Sequence, residues 1–248
     1  IQDVLLTESD YLQEADQLAR FQEHLAGRSD IVVPKPFPEL TRTNVLVMEY
    51  MHGKKLDIAL AEMEHGPREE MLFRWLSLFV WMFHELNELH ADPHPGNFLL
   101  QEDGTLALLD FGCVKTFEPR FADGMLEIVT TCWDDNPERA LEIYAELGFG
   151  NRDFDVNKVD SAVLSAYHDI VLAPFVSDGP FQFGGWQPAL DGKKFMLNNP
   201  SMLQLTPPPN LLMYFRLLSG IKGLLGKFDA ELDIRPLAAE TAKRRGLI

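Results

Sequence analysis

His90-Ala91-Asp92-Pro93-His94-Pro95-Gly96-Asn97, followed by Leu108-Leu109-Asp110-Phe111-Gly112, sets an acid, an amide and a second acid in the order that phosphoryl transfer needs. Asp92 can orient an attacking hydroxyl or accept its proton. Asn97 and Asp110 are hard oxygen ligands suited to Mg²⁺, which keeps several waters and takes only one or two protein oxygens beside phosphate oxygens. The residues between them read as a hairpin. Phe98-Leu99-Leu100-Gln101 is a short apolar strand, Glu102-Asp103-Gly104-Thr105 carries the Asp-Gly turn signal, and Leu106-Ala107-Leu108-Leu109 returns. Antiparallel pairing then brings Asn97 and Asp110 to the same end of the ribbon.

An isolated His-x-Asp is a frequent accident, an Asp-Phe-Gly alone is weak, and Asp, Pro, Gly and Asn all favour turns for conformational reasons. Both motifs in this order around one hairpin point to a kinase-like phosphate and Mg²⁺ site. The rival reading makes His90, Asp92 and His94 ligands of a transition metal. It leaves Asn97 and the Asp-Phe-Gly without a role.

The 248 residues are 46% hydrophobic and 24% charged, an ordinary globular composition with room for two lobes. The net charge is -16, from 38 acids against 22 bases. That balance is opposite to a nucleic-acid binder's and does not draw the average surface to anionic lipid. Lys243-Arg244-Arg245, the one tight basic run, reads as a helix end where cations suit the dipole. Two cysteines, Cys113 and Cys132, make no disulfide framework and fit a reducing compartment. Gln2, Asp3, Glu8 and Asp10 are the wrong flanks for a signal peptide. Leu72 to Leu86 is too short and too interrupted to span a bilayer. The chain opens in mid-pattern without Met, which suggests a fragment of a longer protein.

Working outward, Ser9 to Leu25 reads as an amphipathic helix with Leu12, Ala15, Leu18, Ala19 and Leu25 on one stripe and Glu14 within it. Ile31 to Pro34 is extended, Thr43-Asn44 turns, and Val45 to Met51 reads as a buried strand. That strand is either simple core or a connection between lobes. In the second case backbone groups near Glu49 and Met51 meet an adenine edge, with Met48 behind it. His52-Gly53-Lys54-Lys55 reads as a polar loop, Leu56 to Glu64 as a short helix, and Pro67 to about Leu89 as a long one. Helices are expected over Arg120–Asp134, Pro137–Leu147, Lys158–Leu172, Asn210–Leu225 and Pro236–Arg245. Pro180 to Gly192 reads as a Gly-rich loop. Its Phe181, Phe183 and Trp186 either pack beneath it or dip into a lipid headgroup region.

The chain resembles the UbiB/AarF atypical-kinase family, also called ADCK. Glu8-Ser9-Asp10-Tyr11 with Glu14-Ala15 is similar to its E-x-D-Y-x-x-E-A segment, and Val47-Met48-Glu49-Tyr50 with Gly53 and Leu56 to its hinge. His90 to Asn97 is similar to its catalytic loop, Leu109 to Gly112 to its metal loop, and Pro207 to Asp233 to its C-terminal helical region. The resemblance implies an α+β protein-kinase-like fold, with a partial small lobe over residues 1–51 and a mostly helical large lobe over 52–248. It implies an ATP- and Mg²⁺-dependent kinase or ATPase supporting isoprenoid quinone, chiefly ubiquinone, biosynthesis. Quinone-precursor lipid and quinone-biosynthesis proteins would be its partners, with peripheral membrane contact on a cytoplasmic or organelle-matrix side.

By motif, Asp92 is the catalytic acid, Asn97 and Asp110 bind metal, and Met48, Glu49 and Met51 line the nucleotide. Glu14 would pair with a phosphate-holding lysine, and Glu8 and Asp10 belong to an element near the active site. The family's K-x-G-Q motif and Ala-rich loop do not occur here, and Lys35 lies on the wrong side of Glu14. The chain is therefore expected to begin after them and to bind ATP poorly by itself. The His-x-Asp-x-His-x-x-Asn layout is shared with aminoglycoside- and choline-kinase-like phosphotransferases, and a nucleotide-sensing scaffold is a third alternative.

Overall fold

A computed structural model describes residues 10–150, 158–208 and 211–248. By backbone proximity the chain divides into two compact units, residues 1–68 with 90–115, and residues 69–89 with 116–248. The hairpin bearing Asn97 and Asp110 groups with the N-terminal segments.

The first unit is built around a four-stranded sheet in the order Ile31–Val32, Leu106–Leu108, Phe98–Leu100, Lys54–Lys55. The central hairpin is antiparallel, with Phe98 opposite Leu108 and Leu100 opposite Leu106. Ile31–Val32 runs parallel to its outer arm. Gly104 takes a φ of 86°, which is why the tip needs a glycine. Helix Tyr11–Leu25 starts at Asp10, whose carboxylate accepts the Leu12 N–H at 3.0 Å. Its buried side is Ala15, Leu18, Phe21 and Leu25. Phe21 replaces two residues of the expected stripe: Leu12 is 43% exposed and Ala19 only half-buried.

Val45 to Met51 is not a buried strand. It is an extended segment joined to its neighbours by isolated bridges, Pro36 with Met48 and Arg42 with Val45. Val45 and Tyr50 are exposed. The reason lies opposite: Pro34, Pro36 and Pro38 have no N–H to give. The pairing is left with Phe37 N–H to Val47 O at 2.9 Å and Glu49 N–H to Lys35 O at 2.8 Å. The polar loop at Gly53 is partly a strand instead, since Lys54 and Lys55 pair with Leu100 and Leu99. Gly53 makes this approach, because a Cβ there would stand 2.9 Å from the Leu100 carbonyl oxygen.

The second unit is helical. Helix His65–Trp81 gives way to a π-helical turn, Met82–Leu86, which ends at Asn87 in the left-handed conformation. The helix expected to run to Leu89 thus stops early, and Glu88–His90 is a short strand. Helices Pro119–Trp133, Pro137–Glu146, Ser161–Val171, Leu212–Lys227 and Arg235–Arg244 follow within a few residues of expectation. Phe83, Phe117, Phe121 and Tyr214 stack into one aromatic cluster, with centroids 5.0–6.5 Å apart. The basic run at the C-terminus is tied down rather than only solvated. Arg245 grips Asp123 through two nitrogens, and Arg244 reaches Glu85 at 3.1 Å.

The expected Pro180–Gly192 loop is a strand and the start of a helix. Phe181–Gln182 pairs antiparallel with Glu231–Leu232, and Pro188–Asn198 is helical. Phe183 is 2% exposed and meets both Phe181 and Trp186 edge-on, and the Trp186 indole N–H donates to Ile170 O at 2.8 Å. Phe183 thus packs beneath the segment, while Phe181 and Trp186 stay half-buried at its surface.

Two buried histidines give this unit a pH dependence. Burial pulls both His84 and His168 down to about 4. His168 lies 3.3 Å from the Cys132 sulfur and 3.1 Å from the Tyr144 hydroxyl. Burial pushes the Cys132 thiol up to about 11, so the pair is neutral and no thiolate–imidazolium couple forms. The unfolded chain protonates these rings near pH 6.5 and the folded chain does not. Their contribution is therefore level above about pH 6.5 and is lost as pH falls from there to about 4, at up to ~1.4 kcal/mol per pH unit for each ring. Urea midpoints at pH 7 and pH 5 should show this fall, and a His84→Gln/His168→Gln variant should flatten it.

Candidate active site

The site is assembled within the first unit by the hairpin and the loop before it. Leu109 N–H donates to Asn97 O at 2.9 Å, so pairing continues past both strands and sets Asn97 and Asp110 at one end. The loop ahead is fixed by its own side chains. Asp92 accepts the His94 N–H on one oxygen at 3.3 Å and the Asn97 amide N–H on the other at 3.2 Å. His94 Nδ1 accepts the Gly96 N–H at 3.0 Å, with Pro95 opening a 3₁₀ turn. Because the Asn97 amide nitrogen faces Asp92, its carbonyl oxygen is left as an acceptor for a cation. Asp110 accepts the Gly112 N–H on Oδ1 at 2.8 Å, and its carboxylate also lies within hydrogen-bond reach of the Glu14 carboxyl.

Beneath this surface lies a stack that the motif reading did not anticipate. His90 is fully buried and its Nε2–H donates to the Asp110 carbonyl. Burial holds its pKa below the usual range, so the ring is neutral. Its ring stands perpendicular to Phe111 at 5.8 Å, and Phe111 meets Phe21 at 5.1 Å. Glu14 accepts the Phe111 N–H at 3.2 Å. Burial raises the Glu14 pKa, the Phe111 N–H opposes this, and the neighbouring Asp110 charge adds to the rise. The signal for Phe21 was available as the helical period from Leu18 to Leu25. It was passed over in favour of Ala19.

The transition-metal reading gains no support from this geometry, since His90 Nε2 and His94 Nδ1 are each engaged with backbone groups. Among the described residues no three His, Cys, Asp or Glu side chains gather around a point. An Mg²⁺ site of one carboxylate, one amide and phosphate oxygens has no need of three.

Not every candidate is drawn in. Asp10 serves as the helix cap. Glu8 lies outside the described residues. Met48 and Met51 are half-buried on the extended segment, and Glu49 is exposed, its carboxylate accepting the Lys35 N–H at 3.2 Å.

The frame that carries this loop and hairpin is a mixed α+β, mostly helical one of the kinase-like class. It aligns with Rv3197 from Mycobacterium tuberculosis, solved in complex with erythromycin, at a TM-score of 0.71 and 20% identity, over 95% of this chain and 58% of that one. The sequence profile of the ABC1 atypical kinase-like domain matches residues 1–144, and the chain belongs to that family. This is the UbiB/AarF/ADCK relationship that the motifs indicated. Curated relatives include the mitochondrial atypical kinase coq-8 of Caenorhabditis elegans, 27% identical over 92% of this chain and 31% of its own length. The mitochondrial atypical kinase COQ8B of Rattus norvegicus is 28% identical over 98% of this chain and 46% of its own. A chloroplastic aarF domain-containing protein kinase of Arabidopsis thaliana is 32% identical over 67% and 23%. The chain thus spans less than half the length of each. No helix of the described residues is long and apolar enough to cross a membrane.

Proposed function

We propose that these residues form the Mg–ATP-handling part of a UbiB-type atypical kinase or ATPase that supports isoprenoid quinone biosynthesis. The observation that carries the reading is the Leu109–Asn97 backbone bond, which puts an amide oxygen and a carboxylate at one end of the hairpin beside Asp92. The donor set fits the ion: two hard oxygen donors, the Asn97 amide oxygen and the Asp110 carboxylate, with the Asn97 nitrogen already turned to Asp92. Bound there, Mg²⁺ would neutralise charge on the phosphates during transfer. Asp92, held from both sides, would orient the attacking hydroxyl or water and take its proton. His90 and Phe111 are positioning residues, since they fix the Asp110 backbone from below. Met48, Glu49 and Met51 would line the adenine.

The quinone assignment rests on kinship with the COQ8 atypical kinases, and with it a mitochondrial or plastid setting and lipid partners. The test is a thermal shift of the full-length protein. Mg-ATP should raise the midpoint, and ATP with excess chelator should not. Equal shifts with and without the metal would refute the assigned ligands.

A further inference from the structure

Within the second unit, Phe181, Trp186, Gln182, Gln187, Asp169 and Asp191 line an open groove of about 540 Å³. Two features decide what could occupy it. The first is aromatic. Phe181 and Trp186 stand 5.7 Å apart with their planes at 82°, as two adjoining walls of a box. Both are braced from behind by the buried Phe183, and Trp186 has its indole N–H committed to Ile170. Phe181 and Trp186 are each only half-buried.

The second feature is charge. Asp169 and Asp191 are the charged groups of the lining, and no lysine, arginine or histidine is among its residues. Lys194 reaches Asp191 at 3.4 Å from the same helix, an exposed pair of the kind that contributes little.

We propose that this groove binds a small free organic ammonium ion, alkylated at nitrogen. Perpendicular aromatic walls attract a bulky, weakly hydrated cation through the ring quadrupole. An inorganic cation would have to shed tightly held water for the same contact. The two carboxylates add attraction, and the chain's charge of -16 raises the local cation concentration. The same carboxylates repel a phosphate, which disfavours a phosphocholine lipid headgroup and selects a free amine. The groove lies wholly in the second unit, and the proposal does not depend on the nucleotide reading.

The experiment is calorimetric titration of the 248-residue chain with choline, tetramethylammonium and 3,3-dimethylbutanol, the uncharged isostere of choline. The two cations should bind about tenfold more tightly than the alcohol. Asp169→Asn, at an exposed position, should weaken choline several-fold without moving the thermal midpoint. Trp186→Leu should abolish binding, and if that variant melts early the isostere comparison and Asp169→Asn still decide. Equal binding of alcohol and cation, or an unchanged affinity in Asp169→Asn, overturns the proposal. So does capture by phosphatidylcholine vesicles with no uptake of free choline.

Discussion

Asp110→Asn in the full-length protein is expected to abolish Mg²⁺-dependent stabilisation by ATP, whereas Asp92→Asn keeps that stabilisation and loses turnover. The two acids sit on opposite sides of Asn97 and have different surroundings. Asp110 accepts the Gly112 N–H on one oxygen, which an amide oxygen can still do, so the substitution removes the charge while keeping the turn. The stabilisation at stake is about 2.7 kcal/mol when nucleotide is at a hundred times its dissociation constant. Asp92 accepts the His94 N–H on one oxygen and the Asn97 amide N–H on the other; an amide keeps one of these contacts, gives up the other and cannot take the proton. Its loss should slow phosphate release by roughly 10²–10⁴-fold. Phosphate-release assays beside the thermal shifts separate the roles. Two variants with the same profile in both measurements would refute them.

Phe21→Ala is expected to cost about 3–5 kcal/mol of folding stability. That is a large part of the ~5–15 kcal/mol that holds a typical domain. Phe21 is fully buried, and its ring is the far end of the stack that runs through Phe111 to His90. Truncation leaves a hole beside Phe111, the residue whose N–H Glu14 holds. The cost should therefore appear in nucleotide binding as well as in the urea midpoint. Phe21→Leu, which refills most of the space, should recover much of both. A midpoint shift worth less than about 1 kcal/mol would mean that the site can collapse around the gap and that the stack does not position the loop.

The hairpin that brings Asn97 and Asp110 to one end was legible because its signals are local: an Asp-Gly tip and two apolar triplets. The extended segment at Val45 was misread because its fate depends on partners. A run of apolar residues reads as a buried strand, but the facing Pro34, Pro36 and Pro38 leave too few donors for a ladder. Gly192 misled for a related reason. It read as a loop marker, yet it sits inside a helix because a Cβ there would come within 3.0 Å of Val171 on a neighbouring helix. Asp10, placed by motif in an element near the active site, caps the helix that carries Glu14. The His90–Phe111–Phe21 stack was not legible at all, because its members are spread over ninety-odd positions and meet only in the fold.

The hairpin also sets where this chain can change length. Its tip, Glu102 to Gly104, is exposed or half-exposed and far from the Leu109–Asn97 closure, so residues could be added there without moving Asn97 against Asp110. An arm is different. Removing one residue between Phe98 and Leu100 would turn every following side chain to the other face and pair Asn97 with the wrong neighbour. Insertions among natural variants should therefore collect at the tip, and a tag or reporter grafted between Asp103 and Gly104 should leave the paired oxygens where they are.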